Sequence, residues 1–131
     1  LWGTDIHTEY NPYEAGLGFA VRRNKGDFIG RSALLAARKS GIDQRLCCLT
    51  LEDPTAVVMG SEPIMQGDEV LGFVTSADYG YTVGKGIAYA YLPIDYAKPG
   101  TNLDILYFDE RYGAQVVEEP LYDPEGARMR A

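Results

Sequence analysis

The chain has 131 residues, a length at which one domain with one hydrophobic core is the usual outcome. Hydrophobic residues make up 46% and charged residues 24% of the chain, which excludes a disordered, collagen-like or coiled-coil protein. The formal net charge of -7 argues against nucleic-acid binding, because phosphate contacts need a clustered positive surface. No membrane segment is predicted, since the longest apolar runs fall well short of the roughly 20 residues that span a bilayer.

The first part of the chain combines a loop-rich stretch with one helix. Residues 1–30 are rich in Gly, Pro, Asn and Tyr, and the apolar run at 17–21 is predicted to form a strand. Apolar residues then recur at helical spacing, which predicts a helix over 31–39 that ends at Ser40 and Gly41. Asp27 precedes this helix as a candidate N-cap.

From residue 44 onward the pattern is typical of β-structure. Alternation and turn residues predict strands at 46–52, 64–66, 69–75, 86–94, 103–108 and 113–118, with a tight turn at Gly67-Asp68. Short strands at spacings of about 8–12 residues favour a closed or nearly closed barrel. The predicted fold is therefore α+β and mostly β: a short α/β segment at residues 1–43, then a six-stranded β-barrel-like domain at residues 44–131.

The chain offers little for catalysis by a metal or a nucleophile. Asp5, His7 and Glu9 alternate and would share one face of a strand, but a solvated polar edge beside a loop is the favoured interpretation, so no metal site is predicted. His7 is the sole histidine, and no GxSxG motif accompanies it. No catalytic residue is predicted.

Two features favour packing over chemistry. Cys47 and Cys48 lie in an apolar strand and, as neighbours, point to opposite faces; they are interpreted as buried structural thiols, which favours a reducing compartment. The chain also has ten tyrosines, several of them between residues 79 and 91. They could stack on a flat ligand, although packing inside the barrel is the favoured interpretation.

Five short runs, spread over more than eighty residues, carry a family resemblance. They are Trp2-Gly3-x-Asp5-Ile6, Asn11-Pro12-x-Glu14-Ala15-Gly16-Leu17, Asp27-Phe28-Ile29-Gly30-Arg31-x-Ala33-Leu34, Gly72-Phe73-Val74-Thr75-Ser76 and Gly84-Lys85-Gly86-Ile87-Ala88. Together they resemble the C-terminal part of the tetrahydrofolate-dependent aminomethyltransferases, the T-protein family of the glycine cleavage system. The runs at 77–82 and 119–124 are more similar to the folate-binding halves of dimethylglycine and sarcosine dehydrogenases.

The resemblance implies one-carbon transfer from a methylated or aminomethyl amine to tetrahydrofolate, with FAD only in an upstream domain. Residues 1–43 would be the end of a folate-binding domain, the upstream part of the parent protein would be a partner, and the chain alone would be inactive. The implied location is the cytoplasm, or the mitochondrial matrix in a eukaryote. Two alternatives stay open: a non-catalytic interaction module of the same fold, and a folate-dependent sulfonium demethylase relative.

One ligand contact follows from the resemblance. Phe19 stands where relatives place Tyr or Trp against the folate, so it keeps a stacking face but lacks their polar atom; an ordinary core Phe is the alternative. Glu14 could be a catalytic carboxylate but is favoured as a partner of backbone N–H groups in the Pro12 loop. Arg22 and Arg23 could meet the glutamate tail of folate, although a solvated turn is the favoured interpretation.

Overall fold

The computed structural model describes residues 1–130 and places a closed six-stranded barrel after a helix. A 3-10 turn (Gly18–Ala20) and helix α1 (Arg31–Ser40) come first. The strands are β1 (Gln44–Leu51), β2 (Pro63–Gln66), β3 (Glu69–Gly80), β4 (Lys85–Pro93), β5 (Asn102–Tyr107) and β6 (Glu110–Val117). The predicted fold class, with its six-stranded barrel, is confirmed.

The strands close on themselves without leaving an open edge. Their order around the barrel is β1-β4-β3-β2-β5-β6, and β6 returns to pair with β1. Every pairing is antiparallel. Closure satisfies the backbone groups that an edge strand would leave free, so the barrel is a self-contained platform.

The barrel interior is filled by one side of each strand. On β4, Ala88, Ala90 and Leu92 are fully buried and point inward. The intervening Tyr89 and Tyr91 therefore point outward, because successive side chains on a strand alternate between faces. The predicted packing of these two tyrosines inside the barrel is wrong: they lie on its outer wall.

Two hairpin turns show how far local sequence predicts the strands. Gly67 adopts φ 58 between β2 and β3, which confirms the turn predicted there. Phe108 and Asp109 adopt φ 46 and φ 65, so the β5–β6 hairpin closes in two residues with positive φ at both, as a type I′ turn requires. As a result β6 begins at Glu110, three residues before the predicted start.

The segment between the N-terminal loops and the barrel differs from prediction at two points. The predicted strand at 17–21 is wrong, since the chain forms the 3-10 turn there and has no partner strand to complete a ladder. Helix α1 matches its predicted extent, but its N-cap is Gly30 at φ 86 and no side chain caps it, so Asp27 is not the cap. Within residues 1–130, α1 has no buried residue and packs against none of the six strands.

Gly72 on β3 is predicted to be irreplaceable by alanine. A Cβ atom there would lie 2.4 Å from the backbone oxygen of Tyr91, whereas at Gly86 the nearest atoms are Leu51 side-chain carbons at 3.4 Å. We expect Gly72→Ala to lower the free energy of unfolding by about 1–3 kcal/mol, as overpacking does. Gly86→Ala is the matched control, with an expected cost below about 1 kcal/mol. Urea unfolding followed by circular dichroism measures both; equal midpoints for the two variants would contradict the predicted clash.

Candidate functional site

The N-terminal loops are fastened to the outside of the barrel by a buried carboxylate. Asp5 is 6% exposed, and its Oδ1 accepts hydrogen bonds from Thr75 Oγ1 at 2.5 Å and from Ser76 Oγ at 2.7 Å. The interpretation of Asp5, His7 and Glu9 as one solvated edge is therefore wrong for Asp5. Glu9 points to solvent while Asp5 points into the barrel wall, so the triplet does not converge. No cluster of His, Cys, Asp or Glu suited to a metal ion occurs among residues 1–130.

A bulge in β3 explains why one carboxylate oxygen meets two neighbouring hydroxyls. Val74 pairs with Ala90 and Ser76 pairs with Tyr89, so two residues of β3, Thr75 and Ser76, face one residue of β4. Adjacent side chains on a regular strand point to opposite faces, but a bulge re-aims them. Thr75 and Ser76 thus form a two-hydroxyl receptor for Asp5.

Tyr91 adds a second contact beside the carboxylate. Its hydroxyl donates a hydrogen bond to the backbone oxygen of Asp5 at 2.9 Å, and its ring stacks on Tyr10 with centroids 3.6 Å apart. Burial raises the pKa of Tyr91 to about 12, which keeps this hydroxyl protonated as a donor. The outward Tyr91 is buried because the N-terminal loops cover it.

The protonation of Asp5 follows from its surroundings. Burial raises the pKa of the Asp5 carboxyl, and the hydrogen bonds from Thr75 and Ser76 lower it by stabilising the charged form. Asp5 is therefore a carboxylate at neutral pH, and hydrogen bonds to a charged group are the stronger kind.

Glu14 makes the third attachment and has the structural role predicted for it. Its Oε2 accepts the backbone N–H of Asn11 at 2.9 Å, and its backbone oxygen accepts the N–H of Leu46 on β1 at 2.8 Å. Gln44 at the start of β1 lies 3.4 Å from Glu14 Oε1, and Ala15 is buried beside it. The chain is thus held against the barrel up to the residue before Gly16.

Phe19 follows this attachment and stands out from the molecule. It lies on the 3-10 turn and is 84% exposed, so the interpretation as an ordinary core Phe does not hold within residues 1–130. Tyr13 supports the turn, since its ring lies 3.1 Å from where a Gly18 Cβ would be. The structure therefore presents an open aromatic face three residues beyond Gly16.

A basic loop continues from Phe19. Arg22, Arg23 and Lys25, together with Val21 and Asn24, line an open cavity of about 520 Å³. All three cations are exposed, and none forms an ion pair in the part of the chain that the structure describes. The loop is the solvated turn predicted, and it also places three free positive charges near the ring of Phe19 in sequence.

The outer face of β4 also carries Tyr89, whose contact with Glu119 the sequence pattern did not predict. Tyr89 donates a hydrogen bond to Glu119 Oε2 at 2.6 Å, and burial, followed by this bond, raises the pKa of Tyr89. Tyr81 and Tyr122 help to line a cavity of about 290 Å³ beside it. The contact joins residues 30 positions apart, and no local pattern signals such a pair.

The two cysteines have the environments predicted for them. Cys47 belongs to the barrel core, whereas Cys48 faces the outer cavity, and both are buried and free. Burial raises the pKa of Cys47 to about 11 and raises that of Cys48 as well. Neither thiol is poised as a nucleophile.

Comparison with known families decides what kind of domain this is. The sequence profile of the glycine cleavage T-protein C-terminal barrel domain matches residues 44–123, the whole of the barrel. The chain belongs to this family. Its closed barrel with outward tyrosines is thus the C-terminal barrel of aminomethyltransferase-like proteins.

The relatives fall into two groups. Mitochondrial dimethylglycine dehydrogenase of Mus musculus is 36% identical over 98% of this chain, and mitochondrial sarcosine dehydrogenase of the same species is 35% identical over 98%. Aminomethyltransferase of Symbiobacterium thermophilum is 39% identical over 93%. The chain spans 15% of each dehydrogenase and 32% of the aminomethyltransferase.

A solved structure carries the same fold. The glycine cleavage system aminomethyltransferase T from Bartonella henselae superposes with a TM-score of 0.86 over 95% of this chain and 35% of its own, at 23% identity. The match extends beyond the barrel into residues before 44, so the N-terminal loops and α1 also have counterparts there. Among residues 1–130, no helix is long and apolar enough to cross a membrane.

Both thiols are predicted to resist alkylation while the chain is folded. The thiolate is the reactive form, and burial disfavours it at Cys47 and Cys48 alike. We expect iodoacetamide at pH 8 to modify neither cysteine in the native chain and both in denaturant, as read by intact-mass spectrometry. The denatured sample is the control, and rapid labelling of the native chain would contradict the assigned burial.

Proposed function

We propose that this chain is the C-terminal portion of a tetrahydrofolate-dependent aminomethyltransferase-like enzyme of the dimethylglycine or sarcosine dehydrogenase type. In this proposal residues 1–43 complete a folate-binding domain that lies largely upstream, and residues 44–131 are the C-terminal barrel. The observation that carries it is Phe19, an 84% exposed aromatic ring on a turn whose preceding residues are fastened to the barrel. A ring in that setting is available to a planar ligand.

Phe19 serves in this account as one wall of the folate site. The ring supplies a stacking face, and aromatic pairs of suitable geometry contribute about 0.5–1.5 kcal/mol beyond their buried area. Phe lacks the hydroxyl or indole N–H of the Tyr or Trp that the family resemblance implies at this position, so it contributes packing without a hydrogen bond.

The basic loop suits the other end of the same ligand. Folate ends in a glutamate tail with carboxylates, and Arg22, Arg23 and Lys25 present positive charge without ion-pair partners among the described residues. Charge-assisted hydrogen bonds from arginine to carboxylates are the strong kind. The residues of this chain thus fit both the planar and the anionic part of tetrahydrofolate, and N5 of the bound folate would accept the one-carbon unit.

The upstream part of the parent protein is the proposed partner of residues 17–41. Helix α1 buries no residue, and Ile29 and Leu35 are exposed, so this stretch lacks a core of its own. Such apolar surface calls for a covering partner. That the chain spans 15% or 32% of its relatives supports a parent with further domains.

Catalysis is assigned to the parent, not to this chain alone. The chemistry needs a carboxylate that assists the transferring nitrogen, and two acids of the N-terminal loops already have structural partners: Asp5 is held by hydroxyls and Glu14 by the backbone N–H of Asn11. The isolated chain therefore lacks transferase activity. We place the parent in the cytoplasm, or in the mitochondrial matrix of a eukaryote; the two dehydrogenase relatives are themselves named as mitochondrial.

A second candidate is a non-catalytic interaction module of the same fold. The feature that favours it is that Phe19 lacks the polar atom of the Tyr or Trp that the family resemblance implies at this position. In that case the exposed surface of residues 17–41 would bind only a protein partner.

Replacement of Phe19 separates the two candidates. In the parent protein, we expect Phe19→Ala to weaken tetrahydrofolate binding about five- to tenfold, since it removes about 1 kcal/mol or more of ring contact. Phe19→Tyr keeps the ring and is expected to stay within about twofold. The measurement is the folate dissociation constant by isothermal titration calorimetry.

Phe108→Ala is the matched control, because Phe108 is also 84% exposed but lies on the β5–β6 hairpin. Its folate affinity is expected to equal that of the wild type. A Phe19→Ala protein that binds folate as tightly as the wild type would favour the interaction module.

A further inference from the structure

We propose that Asp5 is a positioning residue that sets the place of Phe19 in the folate site by anchoring residues 1–16 to the β3 bulge. This inference rests on the proposed function and adds the reason why a barrel accompanies the folate-binding segment. In this inference the barrel is a rigid support that fixes the position of the Phe19 ring.

The receptor for Asp5 is built into the barrel rather than gained by chance at the surface. Thr75 and Ser76 are neighbours whose hydroxyls reach the same carboxylate oxygen, at 2.5 and 2.7 Å, because the β3 bulge sets two residues against one. A bulge costs regular ladder bonding locally, so one that orients two donors on a buried acceptor is a specific feature. Tyr91 completes it from β4 by binding the backbone oxygen of Asp5.

The link from Asp5 to Phe19 is short and continuous. Three residues of the N-terminal loops contact the barrel. Asp5 binds Thr75 and Ser76, and Tyr10 stacks on Tyr91. The backbone oxygen of Glu14 accepts the N–H of Leu46. After Ala15 no residue of the turn or of α1 is buried. The orientation of Phe19 therefore depends on these attachments, of which the Asp5 carboxylate is the most buried polar one.

The energetics favour Asp5 over the other two attachments as the controlling one. A buried carboxylate without donors is costly, whereas one with charge-assisted hydrogen bonds fixes a single geometry. Removal of either hydroxyl leaves Asp5 underpaired and lowers the fraction of molecules in which the loops lie against the barrel. Folate binding must then first restore the anchored state, which weakens its apparent affinity by the fraction of molecules that remain anchored.

The test uses the parent protein and variants at both ends of the contact. Asp5→Ala removes the carboxylate, Ser76→Ala removes one hydroxyl, and Ser76→Thr keeps it. Glu9→Gln is the matched control, since Glu9 is an acid of the same segment whose side chain is 84% exposed. Each variant is titrated with tetrahydrofolate by calorimetry, and the rate of methylene-tetrahydrofolate formation is measured at saturating folate.

We expect Ser76→Ala to raise the folate dissociation constant about tenfold, because a hydrogen bond to a charged group contributes about 1.5 kcal/mol, which corresponds to about that factor. Asp5→Ala is expected to raise it at least as much, Ser76→Thr and Glu9→Gln to leave it unchanged, and the rate at saturating folate to stay near wild type. A purely structural role would instead lower the binding stoichiometry and the saturated rate while the dissociation constant stayed the same.

The outcomes distinguish this inference from the proposed function. If Phe19→Ala weakens folate binding while Asp5→Ala and Ser76→Ala do not, the positioning role is overturned and the folate wall stands. If Phe19→Ala has no effect, the folate wall itself is overturned, and a change caused by Asp5→Ala then reports another part of the site.

Discussion

The buried carboxylate of Asp5 ties the two unlike parts of this chain together. On one side is a loop segment with an exposed aromatic ring and an uncovered helix; on the other is a closed barrel whose interior is filled. Without the hydroxyls of Thr75 and Ser76, burial of a charge at this contact would be unfavourable. Together with the contacts of Tyr10 and Glu14, this satisfied acceptor holds the residues before 17 against the barrel.

The barrel contributes rigidity rather than chemistry. Its strands close without an edge, β4 contributes Ala88, Ala90 and Leu92 to the core, and burial holds the two cysteines as neutral thiols. The segment at 17–41 has the opposite character, with Phe19, Ile29 and the basic loop all exposed. A fixed platform that presents an open aromatic and cationic surface is suited to completing a binding site shared with another domain.

Sequence patterns predicted the barrel well because its strands are local and regular. Alternation in β4 and the Gly67 turn gave strand positions within a few residues, and the motif runs gave the family. The turn of the β5–β6 hairpin was predicted to be too long. Two non-glycine residues, Phe108 and Asp109, adopt positive φ there, a conformation that such residues rarely adopt. Residues 17–21 were predicted as a strand because they are a short apolar run. Such a run is too short to show a periodicity that distinguishes a strand from an exposed turn.

The site was harder to predict because its contacts are long-range. Asp5 meets Thr75 and Ser76 across 70 and 71 positions, and only the register shift in β3 aims both hydroxyls at it. The alternating acids around Asp5 gave no sign that it differs from Glu9. Phe19 was found through the resemblance alone, and its exposure came from the fold.

Amide hydrogen exchange of the parent protein with and without tetrahydrofolate tests the central claim most directly. Residues 17–25 have few backbone hydrogen bonds in the described chain and are expected to exchange fast without ligand. The account predicts that folate slows exchange at residues 17–25 and leaves the barrel strands unchanged. If folate slowed amide exchange elsewhere in the protein but not at residues 17–25, the account would be contradicted.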